Sequence, residues 1–142
     1  MSEQKLFFDD VNEGDTAPAF SHELTRTDLV QYAGASGDYN PLHSDDVYTR
    51  EAAGYKSVFA HGMLTMGMTG KMLTNYVGDG RLTKFGVRFT NQVWPGDTLV
   101  ATATVAAIRN ENGQNLVDLT LSTKTPTGVE VVSGSATARA DA

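Results

Sequence analysis

From Met63 to Val77 only Lys71 is charged, and apolar or small residues fall on every side of the segment. That pattern predicts a helix buried all round. The run is shorter than the roughly 20 residues of a membrane span and holds Lys71, Asn75 and several Thr and Gly, so it predicts no membrane association. Beyond it the pattern changes to alternation. Phe85, Val87 and Phe89 interleave with Lys84, Arg88 and Thr90, which predicts a strand. Trp94-Pro95-Gly96-Asp97 reads as a turn. A long strand follows from Thr98 to Ile108, with Leu99, Ala101, Ala103 and Val105 on one face. Asn112-Gly113 signals a hairpin, and Leu116 to Thr123 returns with Val117, Leu119 and Leu121 inward. Thr125-Pro126-Thr127-Gly128 turns the chain into a last strand, Val129 to Arg139.

The first third is less regular. Residues 1 to 9 read as a frayed start. Glu13-Gly14-Asp15 is a turn, and Thr16 to Leu24 a strand that Pro18 makes irregular or confines to an edge. Thr25-Arg26-Thr27-Asp28 is a capping box that opens a helix through about Ala35, with Leu29, Val30, Tyr32 and Ala33 as its apolar face. Ser44 caps a second, short helix that has Asp45 and Asp46 in its first turn and stops at Gly54. Helices early and hairpins late make an α+β domain. No motif repeats, so residues 1–142 form one domain.

Between the two early helices, Gly37 and Pro41 bracket a rigid turn that carries Asp38 and His43 five positions apart. A carboxylate and an imidazole aimed at one point can hold a water, the equipment of general acid–base chemistry near neutral pH. The same residues also make an ordinary turn with a surface histidine. Asn40 stiffens the turn through its backbone and so orients the pair. His61-Gly62 stands where the apolar helix begins, and the free N–H groups at that end can stabilise an oxyanion. Gly62, Gly67 and Gly70 are costly in a helix, about 1 kcal/mol each relative to Ala, so either a strand or a ligand comes close there.

Composition narrows the choice. The chain has 142 residues, enough for a core, and no cysteine, which excludes disulfides and thiol chemistry. Net charge is −6 with no basic run, which argues against nucleic-acid binding. The start of the chain has no apolar signal region, so a cytoplasmic location is expected. Asp38, His43 and His61 lack the His-x-x-x-His spacing of a helical metal site, and no metal is expected. No Gly-x-Ser-x-Gly elbow surrounds Ser36, which sets a serine hydrolase aside. His22 has no evident partner and reads as structural or exposed; His61 reads as structural, donating to the turn of Asp38 or capping the helix.

Ser36-Gly37-Asp38-Tyr39-Asn40-Pro41-Leu42-His43, followed by Ala60-His61-Gly62-Met63-Leu64, resembles the hydratase signature of MaoC-like proteins, the (R)-specific enoyl-CoA hydratases and 3-hydroxyacyl-thioester dehydratases. Val93 to Thr98 resembles the family's later turn, and the Gly-Met-Leu-Thr-Met-Gly run looks closest to the dehydratase subunits of mycobacterial-type fatty acid elongation. The resemblance implies a hot-dog fold, a long central helix wrapped by a curved antiparallel sheet. It implies a lyase that interconverts a trans-2-enoyl thioester and the (R)-3-hydroxyacyl thioester, carried on CoA or acyl carrier protein. Asp38 then acts on the water as base, and His43 holds that water and exchanges a proton with the α-carbon. The Gly62 N–H meets the thioester oxygen, while Met63, Met66 and Met68 line an acyl tunnel. Arg88, with Arg81 and Lys84, either meets the carrier's phosphates or is a solvated strand face. Where some relatives have a serine late in the helix, this chain has Gly70. No cofactor is required. A homodimer is implied, or a heterodimer with another hot-dog subunit, since an open sheet edge asks for cover. A thioesterase on the same fold and a partner-dependent subunit are the rival readings.

Overall fold

The computed structural model describes residues 6–141. Five antiparallel strands form one sheet in the order β1-β3-β4-β5-β2. They are β1 (Phe20–Glu23), β2 (Leu82–Phe89), β3 (Thr98–Glu111), β4 (Gln114–Lys124) and β5 (Glu130–Arg139), and the two longer helices are α1 (Arg26–Ser36) and α2 (Gly62–Val77). Pro18 precedes β1, which among the described residues pairs only with β3 and is the expected edge strand. Asn112 and Gly113 both take positive φ, 51° and 79°, as a two-residue hairpin turn needs.

Helix α2 touches all five strands. Five strands span roughly 19 Å, against a helix only about 10–12 Å across, so the sheet bends round the helix. Small residues allow the approach: Ala101 and Ala103 of β3 and Ala136 and Ala138 of β5 are buried together with Met72, Leu73 and Val77 of α2. A second buried cluster sits between α1 and the sheet and includes Leu24, Leu29, Val58, Leu99 and Val131. This is the α+β architecture expected of a wrapped central helix. No helix among the described residues is long and apolar enough to cross a membrane.

The helix is not buried on every side. Its sheet face hides Thr65, Thr69, Met72, Leu73 and Val77, while Gly67, Lys71 and Asn75 are exposed and Met63 is 56 % exposed. The sheet covers it from one side only, and glycine and methionine on the other face gave a core-like reading to an open surface. Threonine does the reverse. The Thr69 hydroxyl donates to the Thr65 carbonyl at 3.0 Å and meets the Thr123 hydroxyl at 2.6 Å, so these polar groups are satisfied inside the core.

Three smaller expectations change. Val30 is 65 % exposed and does not belong to the apolar face of α1. The short helix after His43 is a π-helical turn, Tyr48–Ala52, and Asp45 rather than Ser44 serves its start: the Asp45 carboxylate accepts from the Tyr48 N–H at 3.0 Å. Ser44 is still bonded backward, its N–H donating to the Pro41 carbonyl, so it closes the previous turn. Of the frayed start, residues 1–5 lie outside the described residues, and the rest is held. The Phe8 N–H donates to the Asp141 carbonyl at 2.7 Å, and the Asp141 N–H to the Leu6 carbonyl at 3.3 Å.

Strands β5 and β2 meet where Gly134 pairs with Val87. A Cβ on Gly134 would lie 2.1 Å from the Gly86 carbonyl oxygen and 2.9 Å from the Val87 Cα, both backbone atoms that cannot step aside. Gly134→Ala is therefore expected to cost about 3 kcal/mol or more in urea unfolding, by forcing β2 away from β5. A loss below about 1 kcal/mol would show that the two strands have slack.

Candidate active site

The turn after α1 is built from side chains that each accept from the backbone two residues on. The Ser36 hydroxyl accepts from the Asp38 N–H at 3.1 Å, the Asp38 carboxylate from the Asn40 N–H at 3.2 Å, and the Asn40 amide oxygen from the Leu42 N–H at 3.0 Å. Gly37 starts this run in the left-handed region, φ 76°, which favours glycine. Pro41 then fixes the first residue of the 3₁₀ turn Pro41–His43, and the His43 N–H donates to the Asn40 carbonyl at 3.0 Å. Asn40 thus braces the segment that carries His43, as expected of an orienting residue.

His43 is clasped from the other side. Its Nδ1 lies 2.6 Å from the Phe59 carbonyl oxygen, and the Phe59 N–H donates to the Leu42 carbonyl at 3.2 Å. A carbonyl can only accept, so Nδ1 carries the proton and Nε2 of the neutral ring keeps its lone pair. Burial holds the imidazole below its ordinary range; the neighbouring His61 adds to this, while the Phe59 carbonyl and Asp38 pull the other way.

His61 supports both partners. It is 1 % exposed, its Nε2–H donates to the Asp38 carbonyl at 3.0 Å, and its ring stacks on His43 at 3.9 Å and 28°. Tyr32 of α1 packs edge-on against it at 4.8 Å, and Phe59 packs edge-on against His43 at 5.3 Å. A donor atom from each of Asp38, His43 and His61 lies within 4.8 Å of the others. The same three are the set among the described residues that could hold a cation. Imidazoles that ligate one ion keep it in both ring planes, about 2 Å from each nitrogen. Rings stacked at 28° do not share one plane and fall short of that geometry.

Gly62 is the first residue of α2, and among the described residues no acceptor meets its N–H; the first helical bond runs from Leu64 to the His61 carbonyl. A cavity of about 280 Å³ adjoins it, lined by Phe59, Thr65, Phe89, Asn91 and Gln92 among others. The Phe89 ring lies 3.3 Å from where a Gly62 Cβ would be, so a larger residue there would press on the ring.

The family sequence model described as MaoC like domain matches residues 11–127. The chain belongs to the MaoC-like domain family. It is 33 % identical over 104 residues to the (R)-specific enoyl-CoA hydratase of Rhodospirillum rubrum, covering 72 % of this chain and 71 % of that protein. It is 40 % identical over 78 residues to 3-hydroxyacyl-thioester dehydratase Y of Mycobacterium tuberculosis, covering 53 % of this chain and 27 % of that longer protein. The unliganded R-hydratase of Pseudomonas aeruginosa superposes with a TM-score of 0.83 at 25 % identity, covering 96 % of this chain and 86 % of the other. The fold is the hot-dog fold of these hydratases.

In this MaoC-like domain the turn of Asp38, Asn40 and His43 and the Gly62 end of α2 come together around His61 and Phe59. Other expected site residues do not join them. Phe85 and Phe89 point from β2 toward Gly70 and Gly62 of α2, so Arg88, one position from Phe89, faces the opposite side of the sheet. Arg81 is engaged with Asp141, its Nη2 2.6 Å from a carboxylate oxygen. Met63 is exposed beside Gly62, whereas Met68 lines a cavity on the outer face of α2. His22 has a partner after all, with Nε2 2.8 Å from the Asp28 carboxylate. Phe59 and Tyr32 were not expected at the site; Tyr32 was expected only in the apolar face of α1. An aromatic two positions before His61 was the available signal for Phe59, and only the tertiary fold brings in Tyr32.

The depressed His43 pKa has a sign in stability. Below its ordinary value of 6.5 the unfolded chain binds a proton that the folded protein resists, so stability is lost as pH falls through that window. Urea unfolding at a series of pH values is expected to show this acid-side loss, with a shallower slope in His43→Gln. An identical slope in the variant would assign the loss to other groups.

Proposed function

We infer that this domain catalyses the reversible hydration of a trans-2-enoyl thioester to the (R)-3-hydroxyacyl thioester. The observation that carries the reading is the 2.6 Å contact of His43 Nδ1 with the Phe59 carbonyl oxygen, which only an Nδ1–H can make. With Nδ1–H committed to Phe59, Nε2 can only accept, and a water held between it and the Asp38 carboxylate meets one acceptor for each of its protons.

The addition then balances with one proton in transit. The water oxygen bonds to the β-carbon as one of its protons passes to the Asp38–His43 pair. Charge moves to the thioester oxygen, where the Gly62 N–H at the positive end of α2 stabilises the enolate. The transferred proton returns to the α-carbon on the same face, and the second proton stays in the product hydroxyl. Asp38 was expected to act on the water as base; with Nε2 unprotonated at the start, His43 must gain a proton before it can give one to the α-carbon. The sequence similarity to an (R)-specific enoyl-CoA hydratase and a 3-hydroxyacyl-thioester dehydratase supports this chemistry.

A second chain completes the molecule in this reading. Among the described residues, strand β2 is hydrogen-bonded on one side only, and Met63 and Phe89 (51 % exposed) flank its end beside Gly62. Another hot-dog subunit, identical or different, would cover both features.

Two variants test the assignment. Asp38→Asn and His43→Ala are each expected to lower kcat by about 10²–10⁴-fold with an unchanged circular dichroism spectrum. The substrate is trans-2-butenoyl-CoA, and chiral analysis of the product also separates hydration from thioester hydrolysis. In the wild type, kcat/KM is expected to fall on the acid side as Nε2 protonates, below the ordinary imidazole value of 6.5. Full activity in either variant would sink the assignment.

A further inference from the structure

Three residues after His43, the Asp46 carboxylate reaches the segment that leads into α2. One of its oxygens accepts the Val58 N–H at 3.0 Å, twelve positions on. The other lies 2.9 Å from Nη1 of Arg26, the first residue of α1. Arg50 stands 4.0 Å from Asp46 and donates its Nε–H to the Lys56 carbonyl at 3.0 Å. A helix dipole explains an acidic residue in a first turn but not its bond to so distant a backbone group. An exposed ion pair by itself adds little stability. What the bond to Val58 does is complete a grip on residues 58 and 59. His43 Nδ1–H donates to the Phe59 carbonyl at 2.6 Å, the Phe59 N–H to the Leu42 carbonyl at 3.2 Å, and the Val58 N–H to Asp46. The turn and the residues just after it thus hold this segment at consecutive groups, and Asp46 is the member of that grip whose side chain does not belong to the site itself.

We propose that Asp46 is a positioning residue: by holding the Val58 N–H it keeps the Phe59 carbonyl on His43 Nδ1 and so sets the tautomer of the imidazole. The consequence for turnover rests on the hydratase reading above; the tautomer does not. Which nitrogen of a neutral imidazole carries the proton is decided by the bond the ring is offered. A Phe59 peptide free to turn withdraws the acceptor at Nδ1, and the ring then populates the form with its proton on Nε2. That form has no lone pair on Nε2 for the water's proton. Asp46 is not among the groups that converge with Asp38 on His43, so its effect passes through residues 58 and 59. The Val58 N–H, and Arg26 after it, hold the Asp46 carboxyl below its ordinary range, so the brace keeps its charge where an imidazole titrates.

The test reads the tautomer directly. The chain has three histidines, and in protein labelled with ¹⁵N-histidine at mildly basic pH, long-range ¹H–¹⁵N correlation reports the protonation of each ring nitrogen. His43→Gln identifies the His43 signals. The wild type is expected to carry the His43 proton on Nδ1. Asp46→Ala is expected to shift those signals toward the Nε2-protonated form and to lower kcat on trans-2-butenoyl-CoA about tenfold to a hundredfold, with KM changed far less. Asp46→Asn, which keeps an oxygen for the Val58 N–H, is expected to restore the wild-type tautomer and most of the rate. Arg26→Gln, which releases Asp46 from α1, is expected to shift the tautomer in the same direction as alanine and decides the matter if Asp46→Ala does not fold. A wild type not protonated on Nδ1, an unshifted His43 in Asp46→Ala, or an Asp46→Asn as altered as Asp46→Ala overturns the proposal. A wild type that holds the Nδ1 tautomer yet does not hydrate trans-2-butenoyl-CoA defeats the hydratase reading alone, and the spectra of the variants still decide the role of Asp46.

Discussion

The hydrogen bond from His43 Nδ1 to the Phe59 carbonyl is the contact on which the site depends. It joins the turn after α1 to the strap that leads into α2, across 16 positions of sequence. It fixes the proton on Nδ1 and so decides what Nε2 can do. It also tethers Phe59 close to His61 and Gly62. Without it the two motifs would be separate surface features, one a turn and one a helix end.

The fold supplies a place where that bond can form. A helix wrapped from one side by a curved sheet leaves its N-terminus and outer face open, and the segment from α1 to Phe59 folds over that end. The stacked histidines fill the junction. One imidazole is bonded to Phe59 and the other to Asp38, so each ring spends one nitrogen on a backbone carbonyl. Burial and the neighbouring ring both disfavour a charge on His43.

Much of this was legible in the sequence because its causes are local. The capping box at Thr25 and Asp28, the Asn112-Gly113 hairpin and the alternation in β3 and β4 depend on neighbours only a few positions away. The Asp38 turn was legible for the same reason. Burial of α2 was misread because a run of small and apolar residues does not say which side the sheet takes. The outward direction of Arg88 and the His22–Asp28 contact depend on tertiary placement, which no spacing encodes. The glycines of α2 were a true ambiguity. Gly67 and Gly70 look alike in sequence, and only Phe85 tells them apart.

The run of side chains from Ser36 to Asn40, each closing on the backbone two residues later, bears on when the chain loses its freedom. Ordering a residue's backbone costs roughly 1–2 kcal/mol in conformational entropy. Here that ordering is complete in the folded domain before any ligand arrives, through bonds that span only two residues. Substrate binding therefore has little loop ordering left to drive, and more of its free energy is available for holding the reacting atoms in place. The turn is preorganised by its own side chains, which lets so exposed a carboxylate as Asp38 keep a fixed direction in water.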